Sequence, residues 1–499
     1  HLDVFSFLGA RTIRALGASA LLLPAAALTC SMLAAQATPA ASGQPAQPAA
    51  LAQSAPSAAQ VQPSAAAAAP PAPQAQDTFN LMDALRGGEP LTSLEAAERA
   101  LKSAPSLARV EAVAHRAEIA AEQANISLYP KLDLEARYTR VSAVEAPAAL
   151  SQFIRFQENQ GLFQARLQWP VSAVFLSVIP RHAALAKAAE SQRIQTYVER
   201  QTIKLRTREA YYNYARARAA LMVAKAALAQ TEAHRKDSEA LVAAGSIARV
   251  ELMRAEAQVA AAKVAQARAD NAVATARSAL FTLVHHEGTA DITVSENLEE
   301  ELPLGGDGED VIYKRALERR SELRALRLLA QSQEKQLSAT KGAMLPVIAV
   351  GGTAEEGNPN QRFFGSYNEW KGSWALYASL IWTPTDTWSA SMQADQVKAD
   401  MAATQADLRS LADALRVEVS QAYNGFASAH VALDAARAGI AAAEESYRVR
   451  REQFRAGAAI AVDVIDAEAQ LRQARLDLVN TLIDLRVAKV RLDRALEAD

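Results

Sequence analysis

Cysteine is nearly absent from this chain of 499 residues, which has only Cys30. One cysteine forms no internal disulfide, and a mature chain that starts after Cys30 has no thiol chemistry. Basic charge is not in excess either, because 53 basic residues face 55 acidic ones and the formal net charge is −2. This balance argues against nucleic-acid binding, which usually requires a basic excess.

Catalytic and metal-binding motifs are also missing. The sequence contains no phosphate-binding glycine loop, no HExxH pair and no nucleophile elbow. His285-His286-Glu287 is the only clustered histidine feature. It follows a predicted helix end and would need further ligands to hold a metal, so a solvated turn is the better interpretation. We therefore predict no enzyme activity, no cofactor and no metal site.

The N-terminal segment has the features of a secretory signal peptide, predicted over 1–37. Two arginines are followed by an uncharged stretch that ends in the cleavage pattern Ala35-Gln36-Ala37. Two alternatives stay open: a retained membrane anchor, since the stretch is long enough to span, and a lipoprotein modified at Cys30. The next segment, 38–77, consists mainly of Ala, Pro, Gln and Ser and is predicted to be a disordered linker.

Alanine is abundant and is the strongest helix former, and the chain contains an internal repeat. Ala244–Gln258 is AGSIARVELMRAEAQ and Ala456–Gln470 is AGAAIAVDVIDAEAQ, at an offset of 212 residues. EAYYNYA at Glu209 and QAYNGFA at Gln421 share that offset. Landmarks in the same order at nearly constant spacing indicate a duplication. The predicted domains are repeat 1 over 91–285, an equatorial linker over 286–309 and repeat 2 over 310–499.

Each repeat is predicted to contain three helices, the second of them very long. They cover about 91–127, 181–243 and 250–284 in repeat 1, and about 310–343, 389–455 and 462–496 in repeat 2. Gly245 and Gly457 would reverse the chain before each last helix. A helix of about 60 residues reaches roughly 90–100 Å. Rods of this length share no globular core and need neighbours along coiled-coil seams.

Between the first and second helix of each repeat, two short segments alternate apolar and polar residues. This alternation is typical of a transmembrane strand, but also of a half-buried strand in a soluble sheet. Val347–Thr353 is the weakest of the four, since Gly351 and Gly352 interrupt it. The residues predicted to face lipid are Leu132, Leu134, Tyr138, Phe163, Leu167, Trp169, Trp374, Leu376, Leu380 and Trp382.

A membrane-spanning role for these strands would require several chains. No uninterrupted apolar helix is found after the signal, so strands are the candidates for spanning. A lipid-exposed sheet has to close, and four strands are too few, since about eight is the usual minimum. The predicted fold class is mainly α with membrane β. A duplicated helix–strand–strand–helix–helix unit would form a trimeric 12-stranded β-barrel continuous with a long α-helical barrel, and loops of about 141–161 and 354–372 would face the exterior.

The duplicated plan, the helix-to-strand joints LYP and MLP, and the tip segments AGSIARVELMRAEA and AGAAIAVDVIDAEA resemble the TolC-like outer membrane efflux proteins. The resemblance covers nearly all of the chain from about Leu91. It implies a homotrimer in outer membrane lipid, with a helical extension in the periplasm. It also implies two partners, a periplasmic adaptor and an inner-membrane pump or transporter. The expected function is a passive exit duct for small molecules such as drugs, metals or metabolites.

The same resemblance assigns roles at the helical tips. Asp463 and Asp466 match the aspartates that form rings at the pore constriction in family members. Six carboxylates in a narrow neck would attract cations and repel one another. The alternative is two acids that merely solvate a helix start. The residues expected to contact the adaptor, or simply to pack the tips, are Gly245, Ile247, Val250, Gly457, Ile460 and Val462.

The sequence departs from the family pattern at the tips and at the strand ends. Ala459 stands where a basic residue often precedes the first aspartate, so a salt-bridged lock there is doubtful. Glu251 and Arg254 occupy the aspartate positions in repeat 1, so only the second hairpin resembles a gate. Prolines replace the Phe-Gly-Gly-like joint after the second strand of each half.

Two other functions stay open on the sequence alone. Protein export by a type I secretion system would use the same scaffold. An elongated structural or adhesive coiled-coil trimer is the candidate from a different class. Paired strands with tryptophans at both ends favour the channel, because an adhesin would not need strand pairs between its helices.

Overall fold

The computed structural model describes residues 87–143, 157–285, 292–303, 305–363 and 368–497. All of them belong to one compact unit that begins at Asp77. The predictions for the signal peptide, for Cys30, for the linker 38–77 and for His286-Glu287 lie outside the described residues.

Each repeat folds as two helices, two strands and a long helical hairpin. In chain order, repeat 1 is preceded by β1 (Glu89–Leu91) and contains α1 (Ser93–Ser103), α2 (Pro105–Ile126), β2 (Lys131–Arg140), β3 (Asn159–Trp169), α3 (Ile179–Ala243) and α4 (Arg249–Val284). Repeat 2 is preceded by β4 (Ile292–Val294) and contains α5 (Glu309–Arg319), α6 (Ser321–Gly342), β5 (Val347–Asn358), β6 (Lys371–Ile381), α7 (Pro384–Arg455) and α8 (Ala461–Leu496). The corresponding helices α4 and α8 have 36 residues each, and α2 and α6 have 22 each, as expected of a duplicated unit.

The first predicted helix of each repeat is in fact two helices. The break lies at Ala104 in repeat 1 and at Arg320 in repeat 2, where ψ is 115° in both cases and the backbone is not helical. In repeat 1 the cause is local, because Pro105 disfavours helical backbone at the residue before it. That signal was present in the sequence, and the prediction of one continuous helix was wrong.

Repeat 2 has no proline at its break, and tertiary contacts hold it instead. The buried guanidinium of Arg320 donates to both carboxylate oxygens of Glu418 at 2.9 Å and to the carbonyl of Arg494 at 2.8 Å. The Glu497 carboxylate accepts hydrogen bonds from the backbone N–H and the hydroxyl of Ser321, each at 2.8 Å. This carboxylate occupies the place of an N-cap and starts α6.

The four long strands form one antiparallel sheet in the order β2–β3–β5–β6. All four predicted strands are present, and β5 extends to Asn358, so the second loop is shorter than predicted. The glycines that weaken the pattern of β5 have a packing role. A Cβ on Gly351 would come within 2.6 Å of the Tyr377 ring, and one on Gly352 within 2.9 Å of a methyl of Leu376. These glycines therefore leave room for side chains of β6.

The largest buried side chains lie near the middle of α3. Tyr211, Tyr212 and Tyr214 are almost fully buried. Their hydroxyls donate to the carbonyl of Leu91 at 2.8 Å, the carboxylate of Glu296 at 2.7 Å and the carbonyl of Ile292 at 3.3 Å, respectively. Buried tyrosines need such acceptors. Two of these bonds attach α3 to the parallel pair formed by β1 and β4, and the third reaches Glu296, two residues after the end of β4.

One helix among the described residues is long and apolar enough to cross a membrane, by length and composition. It is counted from Val171 to Ala243, because the helical turn Val171–Ala173 and the π-helical turn Val174–Val178 run directly into α3. The prediction of no such helix was therefore wrong. The apolar run VSAVFLSVI after β3 is its cause, and only 11% of the apolar window is buried. A single helix of this kind is weak evidence for a membrane span.

Candidate functional site

One face of the four-stranded sheet is apolar and open. The strand pairing aligns Leu132 with Leu167, Leu167 with Gly352, and Gly352 with Leu376, so nine of the ten residues predicted to face lipid share this face. The tenth, Trp382, is exposed and directly follows the end of β6. Leu376 is 78% exposed and Leu134 is 77% exposed. Trp169 differs from the others in being half-buried, because its indole N–H donates to the carbonyl of Leu128 at 3.1 Å.

The opposite face of the sheet is polar. Lys131 pairs with Asp133 at 2.8 Å, and Arg137 pairs with Glu135. The hydroxyl of Ser373 donates to the Glu355 carboxylate at 2.9 Å. A sheet with one exposed apolar face and one polar face is the arrangement of a strand layer between lipid and water.

The two helical hairpins turn in the same way at their tips. Gly245 and Gly457 both have φ +72°, a left-handed conformation that favours glycine. Each glycine N–H bonds to the carbonyl three residues earlier at 3.0 Å. The N–H of the following residue, Ser246 or Ala458, bonds back to the carbonyl five residues earlier at 2.9 or 2.8 Å. The tips are therefore tight turns with satisfied backbone groups.

The apolar tip residues divide into two groups. Val250, Ile460 and Val462 are exposed. Ile247 of the first hairpin instead packs against a small buried cluster of the second hairpin, formed by Phe454, Ala461 and Val464. The exposed group is open to a partner, whereas Ile247 contributes to contact between the two hairpins.

The predicted constriction residues lie in the first two turns of α8. Asp463 is half-buried and Asp466 is exposed, three residues apart on one side of the helix. Among the described residues neither carboxylate has an ion-pair or hydrogen-bond partner. In the first hairpin the corresponding residues neutralise each other, because Arg254 pairs with Glu251 at 3.0 Å. At this pair of positions, therefore, only the second hairpin presents negative charge without a partner.

A contact between the hairpins was not foreseen from the sequence. The Asp237 carboxylate on α3 accepts two hydrogen bonds from Arg455 of α7, at 3.0 and 3.3 Å, and Arg451 lies 3.6 Å away. Ala459 stands where family members often have a basic residue. It is half-buried and packs against the cluster of Phe454, Ala461 and Val464. The ion pairing between hairpins thus lies one to two helical turns away from Ala459, along α7.

A buried acid, Glu468, also went unnoticed. It lies in the buried stripe of α8 between Val464 and Leu471 and is 6% exposed. Burial raises the pKa of its carboxyl to about 7, although the positive charges of Arg451 and Arg472 act in the opposite direction. The local pattern does not mark it, because Glu256 of the first hairpin lies at the same helical spacing between Leu252 and Val259 and is exposed.

Potential metal ligands are not clustered in the described part of the chain. No group of three or more His, Cys, Asp or Glu side chains in this part of the chain could hold a metal ion. His285 closes α4 in a left-handed conformation with φ 47°. Its role in the described structure is that of a helix C-cap.

The family comparison agrees with this geometry. Residues 312–497 match the sequence model of the outer membrane efflux protein family. The resemblance read from the sequence is therefore confirmed, and the outer membrane location that it implied agrees with this match. The family is one of transport proteins and not of enzymes. No curated protein sequence matches the chain at a significant level.

Solved structures share the fold. The chain is similar to the MtrE outer membrane channel of Neisseria gonorrhoeae in its open state, with 19% identity, a TM-score of 0.67, and coverage of 85% of this chain and 93% of that one. It is similar to the CmeC outer membrane channel of Campylobacter jejuni, with 15% identity, a TM-score of 0.69, and coverage of 81% and 85%. It is also similar to the outer membrane protein VceC of Vibrio cholerae, with 17% identity, a TM-score of 0.67, and coverage of 81% and 95%. At these identities the likeness shows the fold.

Proposed function

We propose that this chain is one subunit of a trimeric, passive exit duct in the outer membrane. The observation that carries the proposal is the exposed apolar face that continues across all four strands of the sheet. Four strands cannot close on themselves in lipid, and three chains would supply twelve, which exceeds the usual minimum of about eight. The apolar face would then meet lipid and the polar face would line the lumen.

The long helices support the second half of the proposal. α3 has 65 residues and α7 has 72, which correspond to about 100 Å at 1.5 Å per residue. Such helices extend far beyond a membrane, so in a trimer they would form a periplasmic tunnel. The tunnel would end at the tips that carry Asp463 and Asp466, which we place at its constriction.

The partners in this proposal come from the family resemblance, and the sequence itself has no phosphate-binding glycine loop. A passive duct supplies no energy for transport, so a separate pump has to drive solute into it. We infer an inner-membrane pump or transporter and a periplasmic adaptor, with the exposed tip residues Val250, Ile460 and Val462 as the surface for the adaptor. The cargo in this proposal is small molecules, and protein export by a type I system is the alternative use of the same duct.

Planar-bilayer conductance of the purified, signal-cleaved protein tests the proposal, together with its oligomer mass in the same detergent. Discrete, cation-favouring channels from a trimer are expected. A water-soluble protein without conductance would contradict the duct and would favour the elongated coiled-coil alternative. N-terminal sequencing of the same sample checks the proposed cleavage after Ala37.

A further inference from the structure

The place where α3, α7 and α8 meet near the tips contains buried polar groups without partners. Glu468 of α8 is 6% exposed and His234 of α3 is 3% exposed. Among the described residues, Oε1 of Glu468, Nε2 of His234 and the hydroxyl of Ser238 have no hydrogen-bond partner. Buried polar groups are nearly always bonded, because an unpaired one loses its hydration without compensation. This junction therefore differs from an ordinary helix seam.

Apolar contacts close the junction around these groups. The His234 ring packs on the Phe454 ring of α7, with centroids 5.0 Å apart. Phe454 belongs to the same buried cluster as Ala461 and Val464 of α8. Separation of α8 from α3 and α7 would open this cluster and would admit water to Glu468.

Arg451, a cation close to Glu468, is engaged by another carboxylate. Arg451 lies 3.6 Å from the Asp237 carboxylate, which also binds Arg455. The charged and titratable groups of this junction are Arg451, Tyr447 and Arg455 on α7, His234 and Asp237 on α3, and Arg472 on α8 itself. Since none of them donates a hydrogen bond to Oε1 of Glu468, the buried position suits a protonated carboxyl better than an ionised one.

The repeat supplies a matched comparison. Glu256 occupies the position of Glu468 in the first hairpin, 212 residues earlier, within the same letters AEAQ. Glu256 is exposed on α4. Burial of the acid is therefore a property of the second hairpin, which is the hairpin that carries Asp463 and Asp466.

We propose that Glu468 is a positioning residue for the constriction: it binds a proton while α8 packs against α3 and α7, and its ionisation favours separation of the start of α8 from those helices. Asp466 lies two residues before Glu468 on α8 and Asp463 lies five residues before it, so the same movement would displace both. This inference rests on the proposed duct, in which these aspartates line the pore.

The direction of the pH dependence follows from the two protonation states. The pKa of Glu468 is raised in the packed arrangement, to about 7. The contact of α8 with α3 and α7 is therefore most stable at a pH below the ordinary pKa of a glutamate carboxyl. This stability is lost as the pH rises through about 7. Burial lowers the pKa of His234. The stability that neutral His234 gives to the packed helices is therefore lost as the pH falls, which is opposite to the effect of Glu468. Between pH 5.5 and 7.5 the two groups therefore act in opposite directions, so a weaker packing at the higher pH is the sign expected of Glu468 and not of His234.

Hydrogen–deuterium exchange of the intact protein in detergent tests this coupling. The variants are Glu468→Gln, which mimics the protonated acid, and the matched control Glu256→Gln. After correction for intrinsic exchange, the wild type and E256Q are expected to show faster exchange in 461–475 at pH 7.5 than at pH 5.5, by up to about tenfold per pH unit. E468Q is expected to show no such rise.

Each outcome of this experiment has one meaning. The same pH dependence in wild type and E468Q would overturn the inference. If E468Q does not assemble, E468M removes the same proton with an apolar side chain of similar size. Single-channel recordings on the same samples separate the two proposals. A wild type without channels counts against the duct, whereas the exchange data still decide the role of Glu468.

Discussion

Asp237 on α3 and Arg455 on α7 form a two-point contact between the helical hairpins, with Arg455 Nε and Nη2 at 3.0 and 3.3 Å from the carboxylate oxygens. The two residues are 218 positions apart in the chain. The contact lies close to the tips, beside the cluster that contains Phe454 and Val464. It holds the two repeats together at the end where the constriction is proposed.

Asp237→Asn should weaken this attachment. The variant leaves Arg451 and Arg455 facing each other without their shared anion. The contact is partly exposed, so we expect a loss of about 1 kcal/mol or less, together with faster amide exchange at the start of α8. The control is Asp395→Asn, whose partner Lys398 lies on the same helix at 2.8 Å. An equal response in both variants would show that Asp237 does not connect the hairpins.

The lipid-facing assignment predicts a difference between neighbouring residues of β3. Leu167→Lys would place a charge on the apolar face, at a cost of up to about 2–4 kcal/mol in the middle of a bilayer. Gln168→Lys would place it on the polar face and should be tolerated. The measurement is the yield of assembled protein in the outer membrane. Equal yields would argue against the strand assignment.

The constriction assignment predicts a change in ion permeation. The double variant Asp463→Ala with Asp466→Ala should alter single-channel conductance and reduce cation selectivity, because six negative charges would leave the neck of a trimer. Asp400→Ala removes an exposed acid from α7, away from the tips, and serves as the control. Permeation unchanged from wild type would remove both aspartates from the pore.

The glycines of β5 predict a packing effect. Gly351→Ala would bring a methyl group within 2.6 Å of the Tyr377 ring and 2.7 Å of the Leu167 carbonyl. Overpacking of this kind costs about 1–3 kcal/mol. Gly372→Ala is the control, since its nearest neighbour would be 3.9 Å away. Thermal unfolding should show a lower midpoint for G351A, and a midpoint equal to that of G372A would contradict the packing role.

The helix and strand plan was readable from the sequence because its signals are local. Alternation with period two marked the strands, and the glycine turns at Gly245 and Gly457 marked the tips. The helix bounds were predicted to within a few residues for the last helix of each repeat. The break at Ala104 also had a local signal in Pro105, which the prediction overlooked.

The break at Arg320 had no local signal. It is held by Glu418, by the carbonyl of Arg494 and by Glu497, all of which are distant in sequence. The link between Asp237 and Arg455 is of the same kind. Contacts across such separations depend on how the helices are placed, and composition and periodicity do not encode that placement.

Glu256 and Glu468 show that the local sequence does not determine whether an acid on a helix is buried. The two acids lie in the same four-residue sequence, AEAQ, and the repeat established that both belong to a helix just after a tip. α4 packs along α3 and leaves the side that carries Glu256 in solvent, whereas α8 packs against both α7 and α3 and encloses Glu468. Helix formation follows from local propensity, but the burial of one acid and the exposure of the other follow from the number of helices packed around each position.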